Sequence, residues 1–125
     1  MDFEKRDKKL IIHSREGQFE KDFKFPIREV LEIQGRLIVR LDTLGRKDIN
    51  TEEKNRNIFC LNERGDILWQ IQDPDTYPPG FPKSDSPFVG MRLTKDGKLR
   101  ATSWDSHAYD VDIETGTLSN AEFTK

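Results

Sequence analysis

Cysteine is nearly missing from this 125-residue chain. Cys60 stands alone, so no intramolecular disulfide can form, and a reducing, cytoplasmic home is the expectation. No apolar run approaches the roughly 20 residues needed to cross a bilayer, so no membrane association is expected. The opening MDFEKRDKKL is charged and has no apolar core region, so no signal peptide is expected. Histidine is scarce: His13 and His107 have no Cys or His companions at ligand spacing. Walker A loops, dinucleotide-type glycine turns and zinc motifs do not occur. The expectation is no metal, no cofactor and no enzyme.

Apolar residues make up only 34% of the chain and charged residues 35%, a composition that suits a sheet protein with much surface. The charges nearly cancel, at 21 basic against 23 acidic, which is not the lopsided profile of a disordered segment. Their distribution is uneven. Residues 1–62 hold 14 Lys/Arg and 12 Asp/Glu, while residues 63–125 hold 7 and 11. Between 101 and 123 lie five acids (Asp105, Asp110, Asp112, Glu114 and Glu122) and no Lys or Arg. Such a stretch repels nucleic acid and attracts a basic partner, although a solvated outer face gives the same composition. Basic residues of the first half alternate with acids, so nucleic-acid binding is not expected.

What the chain does have is a recurring phrase of strand, polar turn, glycine and strand. It runs through Leu10–Phe19, Ile58–Trp69 and Ala108–Leu118, with the turn glycines Gly17, Gly65 and Gly116 spaced 48 and 51 residues apart. Extending it yields two antiparallel four-stranded meanders. Their strands fall at about 27–33, 36–42, 57–62 and 66–71, then 88–94, 98–104, 107–113 and 117–123. Gln34-Gly35 and Asp96-Gly97 supply hairpin turns between alternating apolar runs. The organisation is one β domain over 1–125: an N-terminal hairpin (8–24), a first meander (27–71), a Pro-rich connector (72–87) and a second meander (88–123). No stretch reads as a convincing helix. The first meander carries an extra loop of about 12 residues within 43–56, and loops that vary between repeats often carry binding.

Ile58-Phe59-Cys60-Leu61-Asn62 followed by Gly65-Asp66-Ile67-Leu68-Trp69 resembles the PQQ-like and related β-propeller repeats. Tyr109-Asp110-Val111-Asp112 with Thr115-Gly116 fits the same pattern, but its closing strand lacks the Trp. The resemblance implies blade-like sheets. The quinone enzymes of that family use many more blades and a funnel of cofactor ligands, and this chain matches none of those sites. A closed propeller needs about four blades or more, and some two and a half are present. The meanders then pack as a sandwich or curled half-barrel, join another copy, or pair with a different protein.

Ser103-Trp104-Asp105-Ser106-His107 holds the residue types of a nucleophilic triad, but Asp105-Ser106 are turn formers in their own right. Asp110, Asp112 and Glu114 alternate, which would place three carboxylates on one strand face, too far apart for a single ion. The reading that results is a non-catalytic protein-binding module. In its most concrete form it is a small cytoplasmic immunity protein or antitoxin that neutralises a basic, nuclease-like toxin through Trp104, Asp105, Tyr109, Asp110, Asp112 and Glu114. The alternatives are a structural propeller fragment that oligomerises and a small hydrolase using Ser, His and Asp.

Overall fold

The computed structural model describes residues 1–74 and 85–123. Among the described residues eleven strands form three antiparallel sheets, accompanied by one short helix. The first sheet contains β1 (Asp2–Arg6), β2 (Lys9–Ser14) and β3 (Gly17–Asp22) in that order. The second is the meander β4 (Ile27–Ile33), β5 (Arg36–Leu41), β6 (Ile58–Leu61) and β7 (Ile67–Gln70). The third is β8 (Phe88–Leu93), β9 (Leu99–Ser103), β10 (His107–Val111) and β11 (Leu118–Phe123). The expected all-β architecture of antiparallel meanders is what the described residues adopt, as three sheets, none of them closed into a barrel.

The second sheet is the middle layer, and its sequence shows why. Leu37, Ile38 and Val39 are consecutive and each 0% exposed, which alternation allows only if both faces of the strand are covered. Leu37, Val39 and Leu41 join Leu10, Ile12, Ile27 and Leu61 in the core against the first sheet. Ile38, Ile58, Cys60 and Trp69 join Met91, Leu99, Tyr109, Val111 and Leu118 in the core against the third. Burial lifts the Cys60 thiol to about 11, so it sits there as a small apolar side chain.

The two end faces of the stack are polar. Strand register puts Glu4, Arg6, Lys9, Glu20 and Asp22 on the outer face of the first sheet around Ile11, with Arg6 on Glu4 at 2.7 Å and Lys9 on Glu20 at 3.1 Å. The outer face of the third sheet shows Gly90, Arg92, Arg100, Thr102, Ala108 and Asp110.

Two local features depart from the reading of the sequence. The N-terminal unit has a third strand, β1, all five of whose residues are exposed. The 43–56 insertion is not an open loop: it contains the helix α1 (Thr51–Asn55), whose N-terminus is capped by the Asn50 side chain accepting from the Glu53 amide at 2.7 Å. Of the Pro-rich connector, residues 75–84 lie outside the described residues.

Candidate partner-binding surface

The six residues singled out from sequence do not form one surface. Tyr109 must be withdrawn: it is 3% exposed and its ring packs edge-on against Phe88 in the core. It shares the face of Val111 and pairs across to Ala101, so alternation turns it inward. The face with three carboxylates also does not exist, because β10 ends at Val111. Asp110 alone lies on the strand, bonded by Arg100 at 2.6 Å and by Asn120 at 2.7 Å. Those partners hold its carboxyl below the usual aspartate range, the Asn120 bond most of all.

Asp112 and Glu114 belong to a turn that is locked onto the second sheet. The Asp112 side chain accepts from the Glu114 amide at 2.8 Å, and Glu114 receives Arg36 of β5 at 3.0 Å. Beside them Trp69 donates its Nε1–H to the Ile113 carbonyl at 2.6 Å. Gly116, at φ +77°, presses so closely on the Trp69 ring that a Cβ there would lie 2.5 Å from Cε3. Only glycine meets both conditions. This turn is an internal clamp between sheets.

Trp104 and Asp105 lie at the other end of the third sheet, in the β9–β10 turn. Trp104 is 58% exposed. Register brings Phe88 opposite Ser103 and Phe123 opposite His107, so the start of β8, this turn and the end of β11 share one end of the sheet. Phe123 (62% exposed) and Val89 (38%) therefore join Trp104 there, with Glu122 and Asp105 as the nearby acids. Next to Val89 a groove of about 390 Å³ opens toward Leu44 in the inserted loop. Phe123 and Val89 were not singled out from sequence. The available signal was an aromatic at the end of a strand, β11, that lies at the edge of its sheet.

The Ser103–His107 stretch does not assemble a nucleophile and base. Ser103 is buried, and its hydroxyl donates to the Asp105 carboxylate. His107 Nδ1 is 3.3 Å from that same carboxylate but poorly aligned with it. Burial pushes the Asp105 carboxyl up, but the Ser103 and Ser86 contacts and His107 outweigh it, leaving the group below its ordinary value.

The inserted loop turns inward. Lys54, only 7% exposed, donates to Asp85 at 2.8 Å, and Thr51 donates to the same carboxylate at 2.8 Å. Asn55 accepts from the Ser86 amide at 2.7 Å. Asn57 donates to the carbonyls of Leu41 and Phe88 and accepts from the Phe88 amide. These buried polar side chains join the second sheet to the start of the third.

Asp85, Asp105 and Asp110 are all held below the ordinary value of 3.8, Asp85 chiefly by Lys54. A carboxylate of lowered pKa stabilises the fold fully above its unfolded value, and that contribution disappears as pH falls through the folded value. The melting temperature should therefore hold steady from about pH 7 to pH 5 and fall below about pH 4. Asp85→Asn should lose stability at neutral pH and show a shallower acid limb. An unchanged acid limb in this variant would remove Asp85 from the account.

Stacked antiparallel meanders with polar end faces and an aromatic end on the last sheet define a layered all-β domain. The chain belongs to the DUF7957 family, described as a domain of unknown function, whose model matches residues 1–123. No curated protein matches it. Among solved structures it is similar to the computationally designed Ika8 protein, at 9% identity and a TM-score of 0.55 over 98% of this chain. It spans 36% of that protein's length, and the likeness concerns the fold alone.

Proposed function

We propose that this protein is a non-catalytic protein-binding module that covers a basic partner protein with the aromatic end of its third sheet. In the most specific form it acts as a small immunity protein or antitoxin. The observation that carries the reading is Trp104, 58% exposed at the same sheet end as Phe123 and Val89 and flanked by carboxylates. Exposed Trp at the centre of an apolar patch is the residue type that most often dominates binding energy. Asp105 and Glu122 supply the acidic rim, whereas Asp110 and Glu114 are already matched by Arg100 and Arg36.

The oligomerising alternative has less support. Ring closure would press the outer face of the first sheet onto that of the third, and both are polar, as terminal capping layers are. The hydrolase alternative has a buried Ser103 bonded to a carboxylate rather than to an imidazole.

Co-expression with the products of neighbouring reading frames should identify a basic partner, and Trp104→Ala should then weaken the complex at least about tenfold. Glu122→Gln should reduce the association rate and flatten its salt dependence. Asp110, Asp112 and Glu114 are unsuitable for this test, since changing Asp110 or Glu114 breaks an internal ion pair. A folded Trp104→Ala variant that binds the partner unchanged would move the interface elsewhere.

A further inference from the structure

A cleft of about 270 Å³ lies between the first and second sheets, and none of its lining residues comes from the third sheet, which carries Trp104. Its wall is aromatic. The rings of Phe23 and Phe59 stand 5.5 Å apart, centre to centre, at 50°, and Phe25 is buried beside them. Ile67 adds to this wall from β7, an edge strand, and is left 47% exposed. The chain's outer sheet faces are polar, so an open apolar recess here is an exception that a ligand would relieve.

The charges on the rim decide which ligand fits. An aromatic wall alone would suit a cation, but Lys21 and Lys24 both line this cleft and would repel one. Two acids line the cleft with them: Glu53 is engaged by Lys24 at 3.4 Å, and Asp22 alternates with Lys21 along β3 and so belongs to the outer face of the first sheet, opposite Lys9. The Arg56 guanidinium is spent on the Ile71 and Gln70 carbonyls and on Glu52. Among the described residues Lys21 has no ion-pair partner, which leaves its ammonium free for an anion.

We infer that the cleft binds a small, flat aromatic carboxylate. One or two fused rings lie against Phe23, Phe59 and Ile67, and the carboxylate meets Lys21, with Lys24 able to turn from Glu53 to share it. The volume supports a small ligand, since it falls just below the roughly 300–1,000 Å³ of pockets for larger ones. This binding is independent of the protein partner proposed above.

The test is a titration of the intact protein with 2-naphthoate and, separately, with 2-naphthylmethylammonium, followed by amide chemical shifts. Naphthoate should move the Phe23, Phe59 and Ile67 signals saturably, with the ammonium bound at least about tenfold more weakly. Lys21→Gln should weaken naphthoate by about three- to tenfold and leave the ammonium unaffected or slightly improved. Ile67→Ser, at an exposed position, should weaken both probes. Equal affinity for the two probes, shifts centred on Trp104 and Phe123, or no saturation would each overturn the inference. The comparison of probes on the unaltered protein holds even if a variant fails to fold.

Discussion

Trp69→Ala should cost about 3–5 kcal/mol, a large share of the roughly 5–15 kcal/mol that holds a domain of this size together. The side chain is 7% exposed and lies in the core shared by the second and third sheets. Its removal opens a cavity beneath the Gly116 turn and leaves the Ile113 carbonyl without its 2.6 Å donor. Thermal unfolding should shift downward by roughly 10–20 °C. Trp69→Phe, which keeps most of the apolar volume but not the N–H, should lose much less. Fluorescence offers a second readout. Only Trp104 would remain, and emission should take on the red-shifted character of an exposed indole. A loss below about 1 kcal/mol would mean that the 112–117 turn is not locked onto the second sheet.

Strand positions were readable because alternation and turn glycines are local signals. The Gln34-Gly35 hairpin has φ of 51° and 76°, the left-handed pair that a type I′ two-residue turn requires. The strands Ile27–Ile33 and Phe88–Leu93 begin where their apolar runs begin. Strand β1 was not readable. Its residues, Asp-Phe-Glu-Lys-Arg, are those of a charged edge strand, which protects an open edge and carries little apolar pattern. Helix α1 spans five residues, too short for helical periodicity, although Asn50 followed by Thr51-Glu52-Glu53 is a legible cap with acids in the first turn.

The candidate surface was harder to read, because charge in sequence is not charge in space. Glu114 finds Arg36 78 positions away, a pairing that only the stacking of the two sheets creates. Asp110 finds Arg100 on the neighbouring strand. The acidic stretch from 101 to 123 therefore contains two matched carboxylates, and Asp112 serves its own turn. Tyr109 had a local signal against it, since it shares parity with Val111 on a strand with one buried face. Trp104 stays exposed because it stands in a turn, where alternation does not apply.

The junction just after the inserted loop illustrates the same point, and its test is the second large effect. Asn57→Leu should destabilise the fold by about 3–6 kcal/mol, although leucine is similar in size and more apolar. The reason is the set of partners it abandons. Asn57 Nδ2 serves the Leu41 carbonyl at 2.7 Å and the Phe88 carbonyl at 2.9 Å, and Oδ1 accepts from the Phe88 amide at 2.9 Å. Asn57 is 1% exposed and Phe88 likewise, so water cannot take over these bonds without opening the junction. Each buried group left alone costs about 1–3 kcal/mol. The loss should also be local before it is global. Hydrogen exchange should show the Phe88 amide losing protection first, ahead of the Ile38 and Val39 amides in the middle sheet. Uniform loss across all three sheets would instead show that the junction and the cores open as one unit. A variant as stable as the parent would show that Asn57 does not join the second sheet to the third.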